Sequence, residues 1–198
     1  MAELKISIDA LKNRTIENFV KDFASVESKM ETGSCSAAVA SISAAVLERA
    51  AAVSEGKSSN AERLEYIHRN AGIMRDYMIH LVDEDTKCRA PIIRAFKEGG
   101  QNEIDACLQS ACAINAEIIN MMLQNMQLAK ELKGICCEES LHYIREAAEF
   151  ALSAIRACRI WILDMIKVSS DETYSFVTNR ENEVYLQQAV DLYEEIVS

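Results

Sequence analysis

Residues 31–46 read ETGSCSAAVASISAAV, a charged residue and a lone glycine leading into alanine, serine, valine and isoleucine with no ring and no charge. Two readings fit such a stretch. It is either a loop that cradles a ligand and feeds a helix, or a helix made thin so that neighbours approach closely. Alanine has the highest intrinsic helix propensity, and an all-small face lets a second helix pack near its backbone. A helix over 36–53 is therefore expected, ending at GKSSN (56–60), while 32–36 stay open between a ligand loop and an ordinary N-cap by Ser34 or Ser36. The flat surface also suits another helix from a second copy, so a homodimer is expected.

The flanking sequence repeats the helical period. Thr15, then Ile16, Phe19, Val20 and Phe23, mark a short amphipathic helix over 15–25 that should lie on a larger bundle. Leu64, Ile67, Ala71, Met74, Met78, Leu81 and Val82 recur at steps of three and four and predict a long helix from Ala61 toward Phe96. Pro91 lies inside it and, lacking an N–H, is expected to kink or break it near 87–90. Further helices follow over 102–133, stopped by Gly134, over 138–165 and over 175–197. With a single proline and six glycines in 198 residues, long helices are favoured over many turns. The fold class is all-α, a single domain over 1–198 built as a bundle of five or six helices.

Charge narrows the partners. The formal net charge is −10, and no block of Lys and Arg is long enough to track a phosphate backbone, which argues against nucleic acid. The opening MAELKISIDALKNRT lacks the apolar core of a secretory signal, and the longest uncharged apolar run, 34–47, is too short to span a bilayer. No membrane association is expected, and a cytoplasmic location is expected with it. The seven cysteines then read as reduced, mostly buried thiols, without the spacing of a zinc site.

The segment HLVDEDTKCR (80–89) gathers Asp83, Glu84 and Asp85, which fan around a helix and cannot all face one site. If Val82 faces the core, Asp85 and Arg89 share roughly its side while Glu84 stays in water. An interior carboxyl has a raised pKa and suits general acid or base work; the alternative is a solvated acidic turn. Lys87 and Arg94, two turns apart, can receive an anionic tail or pair with the neighbouring acids. Glu138 and Glu139 read as acids at a helix N-terminus, and Glu138 can pair with His142 four residues on, at a cleft or on the surface.

Together TIENFVKDFAS (15–25), the small-residue stretch ETGSCSAA (31–38), VDEDTK (82–87) and ACRIWIL (157–163) resemble the cyclodeaminase/cyclohydrolase family across most of the chain. That family includes the cyclodeaminase domain of formiminotransferase-cyclodeaminase and methenyltetrahydrofolate cyclohydrolases. Its usual loop, PGGGSVAA, corresponds to Glu31–Ala38, where Gly33 and the small residues after it are kept. The resemblance implies attack of water, or loss of ammonia, at the one-carbon unit bridging N5 and N10 of tetrahydrofolate. The folate is then the substrate, with no cofactor or metal. Asp85 is the implied catalytic carboxylate, with Asp83 beside it, and Glu139 stands where the family has a second acid. Gly33, Ser34 and Ser36 would hold the pterin end, and Lys87 and Arg94 the anionic tail. Departures from the family loop keep two other readings in play: an enzyme for another cyclic amidine or imine, or a non-catalytic binding or assembly protein.

Overall fold

In the computed structural model the chain forms six α-helices: α1 (Ile16–Phe23), α2 (Thr32–Val53), α3 (Ala61–Glu98), α4 (Gln101–Lys133), α5 (Leu141–Ile166) and α6 (Glu172–Val197). Short 3-10 turns at Leu11–Asn13 and Glu138–Ser140 complete the elements, and no strand occurs among the described residues. Those residues are 10–28, 30, 32–58 and 60–198; Glu31 of the quoted stretch, Ser59 of GKSSN and the charges of the first nine positions lie outside them. The architecture is all-α.

Two boundaries differ from the sequence reading. Helix α2 begins at Thr32, so the stretch 32–36 expected as a loop or cap is already its first turn. Helix α3 runs unbroken through Pro91 from Ala61 to Glu98. A proline costs the helix one backbone bond, but α3 is held on both sides of it: Asp85 and Ala95 are each buried against neighbours. Tertiary packing carries the helix across the defect.

Paired side chains fix the topology. Arg63 meets Glu131 and Tyr77 meets Glu117, so α3 and α4 form an antiparallel hairpin. Gln109 with Asp171 and Lys133 with the Glu195 carbonyl set α6 parallel to α4. Ser54 bonds Ser140 and Ser43 bonds the Ala147 carbonyl, which sets α5 antiparallel to α2. Helices α2 to α6 therefore alternate in direction, as short connections require.

Helix α2 is the centre, packed on α3, α5 and α4. Ala37, Ala40, Ala44, Leu47, Ala50 and Ala51 are fully buried on it, in one core with larger groups such as Ile67 and Met78 of α3, Met122 of α4 and Ile155 of α5. Each such large side chain stabilises by about 1.5–3 kcal/mol on burial. The alanines add little area themselves but let those groups approach the helix axis. A buried relay ties three helices: Asn125 Nδ2 of α4 donates to Ser43 Oγ of α2 (3.0 Å), which donates to the Ala147 carbonyl of α5 (2.7 Å).

Helices α2 and α4 are long and apolar enough to cross a bilayer by length and composition alone. Here 44% of each apolar stretch is buried in the shared core. Helix α1 is less embedded than its pattern suggests. Thr15 caps it through the Asn18 N–H, and Phe19 packs on the core, but Ile16, Val20 and Phe23 remain exposed.

Candidate active site

At the N-terminus of α2 the first backbone N–H groups have no intrahelical acceptor and carry a partial positive charge. Asp85, reaching across from α3, fills that place. Its Oδ2 accepts from the Ser34 N–H at 2.7 Å and from the Ser34 hydroxyl at 2.9 Å. The carboxylate is 2% exposed and Ser34 is fully buried. A cap that usually comes from the preceding residue is thus supplied by another helix.

Gly33 makes this approach feasible. A Cβ at position 33 would sit 2.1 Å from Asp85 Oδ1 and 2.6 Å from its Cγ, well inside van der Waals contact. The glycine is therefore required by a neighbouring side chain rather than by a special backbone angle. Two opposing influences act on the carboxyl: burial raises its pKa, and the two Ser34 hydrogen bonds lower it, with burial the larger.

Asp85 also lines a cavity of about 190 Å³ between the C-terminal half of α3, the start of α4 and the end of α5. Cys88, Arg89 and Ile92 form one wall, Leu108 and Ala111 another, Trp161 and Met165 the third. Ile93, Phe96 and Val168 form an apolar rim that stays 42–50% exposed. Drug-sized ligands generally occupy about 300–1,000 Å³, so this space takes a single ring system and leaves the rest of a longer ligand along the rim.

The polar groups around the carboxyl are few. Arg89 donates to the Ser28 carbonyl, fixing the segment ahead of α2 to the cavity wall. The Cys88 thiol is raised by burial and then by the Asp85 and Glu84 charges. On α5, burial pushes Cys158 up to about 12, with the Ser36 hydroxyl beside it acting in the opposite direction. That hydroxyl is itself buried and makes no hydrogen bond of good geometry among the described residues.

The structure gathers some of the expected site residues and disperses others. Asp85, Gly33 and Ser34 meet directly, and Ser36 lies further along the first turns of α2. Asp83 instead accepts the Leu11 N–H at 2.7 Å and anchors the N-terminal 3-10 turn to α3. Lys87 is exposed and pairs with Glu84. Arg94 is exposed beside the rim residue Ile93. Glu139 pairs with Lys57 at 3.5 Å, in the 3-10 turn beside Ser54. Ser34 and Ser54 lie at opposite ends of α2, about 30 Å apart at the helical rise, so Glu139 and Asp85 cannot serve one small substrate within one chain. Helix-face reasoning from Val82 correctly places Asp85 and Arg89 together. Cys88 and Trp161 belong to the same cavity, and only the packing of α3 and α5 on the shared helices α2 and α4 reveals it.

The sequence pattern of formiminotransferase-cyclodeaminase is matched over residues 15–184. The chain belongs to the formiminotransferase-cyclodeaminase family. The match covers α1 through the first half of α6, and so includes Gly33, Ser34, Asp85 and the cavity walls. The crystal structure of formiminotetrahydrofolate cyclodeaminase from Thermotoga maritima superposes with a TM-score of 0.88 over 94% of this chain and 95% of that one, at 17% identity. At that identity the likeness establishes the fold. No curated protein sequence matches the chain.

Proposed function

We propose that this family member is a cytoplasmic enzyme acting on a one-carbon derivative of tetrahydrofolate, as a formiminotetrahydrofolate cyclodeaminase or a methenyltetrahydrofolate cyclohydrolase. The observation that carries the reading is Asp85: a buried carboxyl held at a helix N-terminus and lining an apolar cavity, in a chain of this family. The Thermotoga protein of the same fold is a formiminotetrahydrofolate cyclodeaminase, which supports the folate class.

In the deaminase direction N10 attacks the formimino carbon, and ammonia leaves as the methenyl bridge closes. In the hydrolase direction water adds to the bridging carbon, and the bond to N5 breaks. Either path moves a proton off the nucleophile and onto the leaving nitrogen, which a single carboxyl can do in turn. Asp85 takes that role. The ring system occupies the cavity against Trp161, and the anionic tail runs over the rim toward Arg94, since the Lys87 charge is already shared with Glu84.

Trp161 is the single tryptophan of the chain and forms part of the cavity wall, so it reports on occupancy. Titration with a tetrahydrofolate derivative, corrected for ligand absorbance, is expected to change its fluorescence saturably. A flat titration at high ligand concentration contradicts folate binding here. One observation favours a second reading, a non-catalytic binding protein: the bonds from Ser34 make Asp85 a helix cap as well as a candidate acid or base. Binding without turnover would select that alternative.

We also propose a homodimer through the outer face of α2, where Ile42 is 51% exposed among small neighbours. Sedimentation equilibrium is expected to give twice the 22.1 kDa chain mass; a concentration-independent monomer contradicts it.

A further inference from the structure

Where the family loop has a third glycine, this chain has Ser34, and its side chain is directed at Asp85 rather than into open space. The backbone N–H and the hydroxyl of Ser34 both bond the same oxygen, Oδ2, at 2.7 and 2.9 Å. Neither reaches Oδ1, which instead lies over the bare Cα of Gly33. The two oxygens of one buried carboxyl are therefore chemically unequal.

We propose that Ser34 is a positioning residue for Asp85: by placing both of its donors on Oδ2, it makes Oδ1 the oxygen that takes up and releases the proton. The proposal rests on the reading of Asp85 as the proton-handling group and adds the residue that governs it. A proton on Oδ2 would have to displace a donor, and in a buried site a displaced donor has no water to turn to. A proton on Oδ1 displaces neither. Charge-assisted bonds to one oxygen also favour the ionised form, so the hydroxyl offsets part of the effect of burial.

Other ionisable groups around the carboxyl leave this role to Ser34. Helix α3 brings Glu84, Cys88 and the Arg89 guanidinium, α5 brings the Cys158 thiol, and α4 contributes Leu108 and Ala111 to the cavity and the Cys107 thiol near Cys88. The Ser34 donors are the hydrogen bonds from α2 that act on the carboxyl. The hydroxyl is also removable on its own: Ser34→Ala keeps the backbone bond, and Ser34→Gly restores the residue of the family loop.

The test is the side-chain carboxyl titration of Asp85 in the ligand-free protein, followed by carbon NMR and assigned by the signal lost in Asp85→Asn. In Ser34→Ala the midpoint is expected to move upward from its wild-type position. Ser34→Gly gives the same direction and serves if the alanine variant does not fold. A midpoint that stays in place or moves down in a folded variant overturns the proposal. Because no folate is present, this outcome is independent of the functional reading: a shifted titration in a protein that never turns over folate supports the role of Ser34 and overturns the folate reading. With turnover present, the limb of the pH–rate profile that reports this carboxyl moves up with the titration, a change that a merely structural loss does not produce.

Discussion

Asp85→Asn is expected to reduce turnover of a methenyl- or formimino-tetrahydrofolate by about 10²-fold or more, the usual contribution of a positioned general acid or base. Asparagine nearly matches aspartate in shape, and its carbonyl oxygen can accept the Ser34 bonds, so the α2–α3 contact survives while proton transfer is lost. Fluorescence titration through Trp161 should show ligand affinity largely kept, which places the loss in the chemical step. An unchanged rate removes Asp85 from the mechanism. Stability has its own pH signature. Burial holds the folded-state pKa of Asp85 above its ordinary 3.8, so the carboxyl favours the folded state most below 3.8 and that contribution is lost as pH rises through the raised value. The stability of wild type relative to Asp85→Asn should accordingly fall with pH across that window and level off above it. A difference that grows with pH contradicts the raised value.

Gly33→Ala is expected to destabilise the fold by about 1–3 kcal/mol, the usual cost of overpacking a tight site. The sign is informative, because alanine in place of glycine in a helix ordinarily stabilises by up to about 1 kcal/mol. Here the added Cβ would fall 2.1 Å from Asp85 Oδ1, and two hydrogen bonds prevent the carboxyl from swinging aside. Asp85→Ala alone strands the Ser34 N–H and hydroxyl, at about 1–3 kcal/mol for each buried group left unsatisfied. In the double variant the clash is gone, so Gly33→Ala made on the Asp85→Ala background should become neutral or stabilising. Denaturant unfolding of the four proteins of the cycle reads the coupling. Simple additivity of the two substitutions contradicts a direct contact between Gly33 and Asp85.

How far the sequence carries to this site depends on which interactions are local. Leu64 to Val82 keep one period throughout, so α3 and its buried face are readable from spacing, and the small-residue run of α2 is readable as a close-packing helix. The same local logic overstates Pro91, because Asp85 and Ala95 bury both flanks of the proline through contacts distant in sequence. It also leaves 32–36 open between loop and cap. The residue that satisfies the α2 N-terminus stands fifty-one positions from Ser34, at Asp85, where no capping pattern registers it. The three successive acids fan around α3, and the side shared with Val82 singles out Asp85, which enters the core; that Asp83 holds Leu11 and Glu84 pairs with Lys87 is set by neighbours. The α2–α3 crossing adds the partner of Asp85, Ser34. A family pattern brings Glu139 into the site, and the length of α2 separates it from Asp85.

One buried carboxyl both completes a helix and, in the proposed mechanism, handles a proton of a folate one-carbon unit. The most direct test follows methenyltetrahydrofolate absorbance with equal concentrations of folded wild type and Asp85→Asn. The expected result with wild type is a change faster than the uncatalysed rate, a loss from methenyltetrahydrofolate or a gain from the formimino substrate, and about 10²-fold less acceleration with the variant. No acceleration by the wild-type chain in either the hydrolytic or the deaminating direction, even at high enzyme concentration, would contradict it.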